Sequence, residues 1–144
     1  MNNYSIETLD SNYEELEKYL NEELINYGVA EAGGSKPKYM CCYIKDDQHK
    51  FIAGIKGYAM LDLFFISQLF VDENHRNIGL GKKLLSEIEV IAKNLACNTI
   101  RLDTFNKKSH SFYEKSGFEK TLEIKDYMKG FDLLFFHKYI NQSI

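Results

Sequence analysis

The stretch Q-L-F-V-D-E-N-H-R-N-I-G-L-G-K-K-L-L, from Gln68 to Leu85, decides how the rest of the chain is read. Its apolar opening completes a run from Leu63 that is rich in Phe and Ile, so Leu63 to Val71 reads as a strand buried on both faces. A polar loop follows, and a helix opens around Gly79. Over residues 79–96, Leu80, Leu84, Ile88, Ile91 and Leu95 form one stripe, with Lys82, Lys83, Glu87, Glu89 and Lys93 away from it. Gly79 and Gly81 leave the first-turn amides uncovered by side chains. Those N–H groups have no intrahelical partner, and the helix dipole adds partial positive charge. Arg76 and Lys82 bring full charges to the same place, which suits a phosphate or pyrophosphate.

Working outward, residues 99–104 (T-I-R-L-D-T) read as a short strand, and 109–116 as a short helix closed by Gly117. Strands over 118–127 and 131–139 flank Lys129-Gly130. Upstream, strands over 39–45 and 50–58 surround the turn residues Asp46, Asp47 and Gln48. Residues 31–37 (E-A-G-G-S-K-P) are the clearest loop, since paired glycines and a proline oppose both helix and strand. Tyr13, Leu16, Leu20 and Leu24 mark an amphipathic helix over about residues 12–26, with Ser11 and Glu14 at capping-box spacing. Residues 4–9 read as a first strand. A long helix between two strands implies a crossover with parallel pairing, whereas the meander before it and the hairpin after it are antiparallel. The fold class is therefore a mixed α/β sheet.

With 144 residues, 44% apolar and 27% charged, the chain suits one globular domain. Ten Phe, ten Tyr and a single proline rule out disorder as its main state. A net charge of −3 argues against a nucleic-acid partner held by bulk positive charge. Cys41, Cys42 and Cys97 lack the spacing of a disulfide framework or zinc site, and His49, His75 and His137 have no ligand spacing, so no metal is expected. There is no signal-peptide pattern, and the longest apolar run falls short of the ~20 residues that span a bilayer. A cytoplasmic protein without a membrane partner is the expectation.

Phosphate loops differ in their spacing. A Walker A loop would need glycine at position 76, which is Arg, and Ser or Thr after Lys82, where Lys83 stands. The dinucleotide fingerprint fails at Leu84. Arg76, Gly79 and Gly81 instead fill R-x-x-G-x-G, which resembles the acyl-CoA loop of the GNAT N-acetyltransferases. A second segment, N-K-K-S-H-S-F-Y-E-K-S-G-F from Asn106 to Phe118, is similar to that family's N-x-x-A-x-x-L/F-Y-x-K-x-G-F. Asn106, Phe112, Tyr113, Lys115, Gly117 and Phe118 match it, and Ser109 replaces the usual Ala. The resemblance covers about residues 50–138 and is that of a small bacterial-type, single-domain member.

That resemblance implies one acyl-CoA N-acyltransferase domain over residues 1–144. Its fold would be α/β: a mixed, mostly antiparallel sheet of about seven strands, a splayed parallel fourth/fifth pair and about four helices. It implies acetyl-CoA as co-substrate and a primary amine as acceptor. The pantetheine arm would pair with the main chain of Leu69, Phe70 and Val71, where an N–H would also hold the oxyanion. The pyrophosphate would sit on the amides of Arg76, Asn77, Ile78, Gly79, Leu80, Gly81 and Lys82. Asn77 stands where glycine is usual, and Asn tolerates positive φ. Tyr113 matches a tyrosine that protonates the leaving thiolate, and Asn106 would bond the pantetheine or a local turn. The base is open: residues 66–69 (I-S-Q-L) hold no carboxylate, which leaves Asp103, His110, Glu73 or a water relay. An acidic first helix would favour a cationic amine, and the aromatic run over 131–139 is core or the contact of a homodimer. The alternative function is a non-catalytic acyl-CoA-binding or interaction module.

Overall fold

The helical spacing of Leu16, Leu20 and Leu24 forms α1 (Glu14–Glu31) in the computed structural model, which describes residues 4–140. The chain divides into two units, Met1–Lys36 and Pro37–Ile144. In the first, α1 starts later than the capping box requires. Asn12 takes φ +55, Tyr13 becomes the N-cap without a side-chain bond, and Ser11 Oγ donates to Asp10 Oδ1 at 3.1 Å. Glu14, Glu15 and Glu17 in the first turn still complement the helix dipole. The helix runs five residues past the expected end, until the Gly34 N–H closes on Val29 O at 2.8 Å with Gly33 and Gly34 at positive φ. Residues 4–9 form no strand. Alternation marks a segment able to pair, but a strand exists only where ladder partners are supplied.

In the second unit, K-Y-M-C-C-Y-I-K and F-I-A-G-I-K-G-Y-A-M alternate, and β1 (Lys38–Lys45) pairs antiparallel with β2 (Phe51–Met60). Asp46 Oδ1 fixes the turn between them, accepting from the Gln48 and Lys50 amides at 2.9 Å. There follow β3 (Leu63–Val71), α2 (Leu80–Asn94), β4 (Thr99–Thr104), α3 (His110–Lys115), β5 (Glu119–Met128) and β6 (Phe131–Tyr139). The strand order is β1-β2-β3-β4-β6-β5, antiparallel throughout except for β3/β4. The described residues thus hold six strands and three α-helices rather than about seven and four. The missing strand is the one expected over residues 4–9.

One face of the sheet carries the core. Ala53, Ile55, Ala59, Phe64, Ile66, Ile100, Leu102 and Phe136 pack with Leu84, Leu85, Ile88 and Ala92 of α2. Each large aliphatic side chain buried there contributes about 1.5–3 kcal/mol. Lys138 ties three elements at the rim, donating to Glu89 Oε2 at 2.6 Å and to Ser116 O at 3.0 Å. Burial pushes the Glu89 carboxyl up, but hydrogen bonds from Lys138 and Lys93 outweigh it and hold the group below its ordinary range. β3 is not buried on both faces as its composition suggested. Phe64 and Ile66 are core on the α2 side, whereas Ser67 at an irregularity of the ladder and Gln68 and Phe70 on the opposite face are exposed.

Candidate active site

Two parallel strands that meet and then part make a cleft. β3 and β4 are in register only at Leu63–Thr99, Phe64–Ile100 and Phe65–Arg101. Beyond these, β3 stays with β2 as far as Val71 opposite Ala53, and β4 stays with β6 as far as Thr104 opposite Leu134. The facing main-chain edges over 66–71 and 102–104 therefore have no ladder between them. The parting coincides with a bulge, where Gly57 pairs with Ile66 and Lys56 with Gln68, leaving Ser67 as the extra residue. Its Oγ donates to Lys56 O at 3.2 Å. A bulge increases local twist and bends its strand, which turns β3 away from β4. It also keeps the core face in step: Phe64 and Ile66 before it, Leu69 and Val71 after it, all pack on the α2 side. Sequence reading missed this bulge, although glycine inside a strand pattern, here Gly57, is its usual signal.

At the open end of β3 the chain makes a 3₁₀ turn, Glu73–His75, capped by Asp72, whose Oδ1 accepts from the Asn74 amide at 3.0 Å. His75 Nδ1 stands 3.0 Å from the same oxygen, and the bonds from His75 and Asn74 hold the Asp72 carboxyl below its usual range. Arg76 folds back over β3: its Nε donates to Val71 O at 2.9 Å, and its guanidinium lies 5.7 Å from the Phe70 ring centre. Asn77 takes φ +62 and Gly79 φ +88, the positive values that Asn and Gly accept most readily. The first intrahelical bond of α2 runs from Lys83 N to Gly79 O at 3.0 Å. The amides from Asn77 to Lys82 precede it and donate to no carbonyl among the described residues.

The two glycines serve different purposes. A Cβ at Gly79 would meet nothing within 4 Å, so only its backbone conformation requires glycine, and the amides beside it are uncovered as expected. A Cβ at Gly81 would stand 3.0 Å from Phe112 Cζ and 3.7 Å from Val71 Cγ2. Glycine there lets α2, the end of β3 and α3 converge, so it serves close packing as well as leaving the first-turn amides uncovered. Gly79→Ala should cost about 1–2 kcal/mol through left-handed strain, and Gly81→Ala about 1–3 kcal/mol by displacing Phe112. Thermal melts of Gly81→Ala and Phe112→Leu/Gly81→Ala distinguish the causes, since the smaller Leu should recover stability only for Gly81.

Past β4, Asn106 caps a second 3₁₀ turn, Lys107–Ser109. Its Oδ1 accepts from the Lys108 amide at 2.9 Å, and its own N–H donates to Thr104 Oγ1 at 3.1 Å. Of its two expected partners, the local turn takes the carbonyl oxygen. Ser109 Oγ donates to Asn106 O at 2.8 Å, so the hydroxyl in place of the usual Ala methyl adds to the same turn. This turn starts α3, which places Tyr113 in the core beside Phe112, Phe118 and Phe136, with ring centres 5.2, 5.8 and 5.6 Å away. Gly117 at φ +88 ends the helix, and the Phe118 amide donates to Tyr113 O at 3.0 Å. Tyr113 is 8% exposed, yet its oxygen keeps solvent contact and has no hydrogen-bond partner among the described residues. Burial pushes its phenol above the ordinary value.

Val71, Arg76, Gly81, Phe112 and Tyr113, read from two separate motifs, thus gather at one end of the open cleft. The other candidates divide. Asp103 lies on β4. His110 Nε2 is 3.1 Å from Glu114 Oε1 with its ring against Phe136, and Glu73 lies in the exposed 3₁₀ turn. Comparison with known proteins agrees with this geometry. Residues 3–118 match the Acetyltransferase (GNAT) family. An acetyltransferase of Agrobacterium fabrum is 30% identical over 106 residues, covering 74% of this chain and 77% of that protein. A crystal structure from Agrobacterium tumefaciens, described as an acetyltransferase, superposes with a TM-score of 0.82 at 26% identity over 95% of this chain and 98% of that one. A Bacillus anthracis structure described as a streptothricin acetyltransferase in complex with acetyl coenzyme A shares the fold, with a TM-score of 0.66 at 23% identity over 74% of this chain and 65% of that one. The cleft, the bare helix start and these relatives lead to one assignment: the chain belongs to the acetyltransferase (GNAT) family.

Proposed function

We propose that the protein is an N-acetyltransferase, one acyl-CoA N-acyltransferase domain over residues 1–144, that moves the acetyl group of acetyl-CoA to a primary amine of a small molecule or peptide. The reaction is direct attack on the thioester in a ternary complex. The observation that carries this reading is the unpaired edge of β3 leading straight to the unbonded amides at the start of α2. An extended pantetheine arm can complete the ladder beside Leu69, Phe70 and Val71, and a pyrophosphate can accept from the amides of Asn77, Ile78, Gly79, Leu80, Gly81 and Lys82. Arg76 and Lys82 add charge, and the Asn106 turn holds the far wall. A β3 amide polarises the thioester carbonyl and stabilises the oxyanion. Tyr113, whose phenol is protonated at neutral pH and is pushed further up by burial, gives its proton to the departing thiolate. The chemistry needs no metal. The partners we propose are acetyl-CoA and the amine, with a second copy of the chain as a dimer partner, and with neither nucleic acid nor membrane. The proposed location is the cytoplasm.

Acetyl-CoA at about a hundred times its dissociation constant should stabilise the fold by about 2.7 kcal/mol. For a chain of this size that raises the melting temperature by about 5–10 °C. A thermal-shift titration with acetyl-CoA and CoA measures it, and an unmoved melting temperature would remove the reading. A screen of polyamines, amino acids, aminoglycosides and peptides for CoA release then identifies the acceptor. Binding without turnover on any amine would leave the non-catalytic module in its place.

A further inference from the structure

We infer that Asp103 is the group that takes the proton from the acceptor amine, an assignment that rests on the N-acetyltransferase reading above. β3 (L-F-F-I-S-Q-L-F-V) and β4 (T-I-R-L-D-T), which wall the cleft, carry one carboxylate between them, Asp103. The last parallel pair is Phe65–Arg101, so Asp103 lies two residues into the unpaired part of β4. Ile100 and Leu102 are buried in the core under α2, and strand alternation turns Arg101 and Asp103 to the opposite face, where both are exposed. On β3, the bulge at Ser67 sends Leu69 and Val71 to the core and Gln68 and Phe70 to that same opposite face. Gln68 and Asp103 therefore stand on one side of the cleft, on its two walls.

The Asp103 carboxylate has no hydrogen bond or ion pair among the described residues. Its cross-strand neighbour is Phe135, and the charged or titratable positions on that face of the neighbouring strands include Arg101, His137 opposite it, Glu119 opposite His137, and Lys56 opposite Gln68. The other candidates lie elsewhere: Glu73 is in the exposed 3₁₀ turn beyond β3, and His110 stands on α3 against the core residue Phe136, its buried Nε2 without a hydrogen bond among the described residues. On the Asp103 side, Gln68 cannot accept a proton at neutral pH, Ser67 is bonded to Lys56 O, and His137 lies beside Glu119 and Tyr139. Tyr113 packs with Phe118 and Phe136 on the α2 side. Acid and base thus lie on opposite sides of the sheet plane that a thioester in the cleft would occupy. The amine, neutral after its ammonium proton has passed to solvent, forms the N–C bond at the thioester carbonyl from the Asp103 side and sheds one proton to the carboxylate. The C–S bond breaks, and the thiolate leaves with the electron pair and takes the Tyr113 proton. Solvent then exchanges protons with both side chains.

The test compares the parent, Asp103→Asn and Asp103→Glu with the amine that the screen delivers, alongside acetyl-CoA thermal shifts. Asp103→Asn should lower kcat by about 10²–10⁴-fold with its acetyl-CoA shift retained, and Asp103→Glu should recover part of the loss. Asp103→Ser gives the same comparison if Asn disturbs folding. Three results overturn the assignment alone: parental kcat in Asp103→Asn, a raised KM for the amine with kcat intact, or loss of the acetyl-CoA shift. They make Asp103 dispensable, a holder of the cationic amine, or a donor-site residue, respectively. Absence of turnover by the parent on every amine removes the N-acetyltransferase reading, and the assignment with it.

Discussion

Tyr113→Phe should lower the turnover number by about 10²–10⁴-fold while leaving acetyl-CoA affinity close to that of the parent. The ring is held by Phe112, Phe118 and Phe136, and those contacts survive the loss of one oxygen. That oxygen has no hydrogen-bond partner among the described residues, so its removal strands no buried donor or acceptor. Stability should therefore change little, and a loss of turnover would be chemical in origin. Because burial raises the phenol above its ordinary value near 10, the acid form persists across the range in which an assay can be run. The basic limb of the parent's kcat profile should not reflect Tyr113 below about pH 10. Even at its ordinary value near 10 the phenol is a weaker acid than a free thiol of pKa about 8.5, and burial widens the gap, so proton transfer is expected to accompany C–S cleavage rather than follow it. Steady-state kinetics and a thermal shift of the Phe variant read both quantities. Parental turnover would mean that water protonates the thiolate and that Tyr113 only packs. A lost acetyl-CoA shift would move the hydroxyl into donor binding.

Gly57→Ala should have the largest effect on stability of any glycine-to-alanine change in the chain. A Cβ there would collide with the carbonyl oxygen of Phe65 and stand 2.7 Å from Phe64 Cε1. Phe64 is fully buried, and the carbonyl belongs to the last residue of β3 that pairs with β4, so neither obstacle is the loose end of a flexible side chain. Overpacking of this kind costs about 3 kcal/mol or more where backbone must move, which for a chain of this size lowers the melting temperature by roughly 10 °C. The damage should reach the cleft, because the bulge at Ser67 is built against Gly57 and sets where β3 leaves β4. The folded fraction at low temperature should then bind acetyl-CoA more weakly. Melting curves and a titration below the transition measure the two effects. A variant melting like the parent would show that β2 and β3 can separate at the bulge without cost.

Most element boundaries in the second unit could be read from the chain because local chemistry and tertiary contacts agree there. Leu63–Val71, Thr99–Thr104 and Phe131–Tyr139 form as the apolar runs predict, and α2 spans all but the ends of its predicted range. Asn77 takes the positive φ that its type permits, and Gly117 closes α3 as a C′ glycine. These features depend on a residue and its near neighbours, which the sequence states directly. Ser11 and Glu14 had the right spacing for a cap but the wrong backbone between them, since Asn12 at φ +55 turns the chain before the helix begins. Residues 4–9 had alternation and no ladder partner.

The site divides in the same way. The R-x-x-G-x-G spacing and the Asn106 to Phe118 segment identified the family and the helix start with its unbonded amides, because both are short motifs whose geometry is local. Three other facts lay outside any motif: Gly81 is glycine because Phe112 arrives from α3, Arg76 is tethered to Val71 O, and the cleft opens after Phe65 because a bulge opposite Gly57 bends β3. The first and third join residues on different elements, and the second closes a turn that no motif specifies. The face to which Asp103 turns is equally a tertiary matter, since alternation states only that it opposes Leu102, and the packing of α2 on Ile100 and Leu102 decides which face is core. Short-range spacing thus determined the family to which this chain belongs. Only the pairing of distant strands decided where the cleft opens and which side chains meet in it, because contact between remote residues depends on the packing of every element between them.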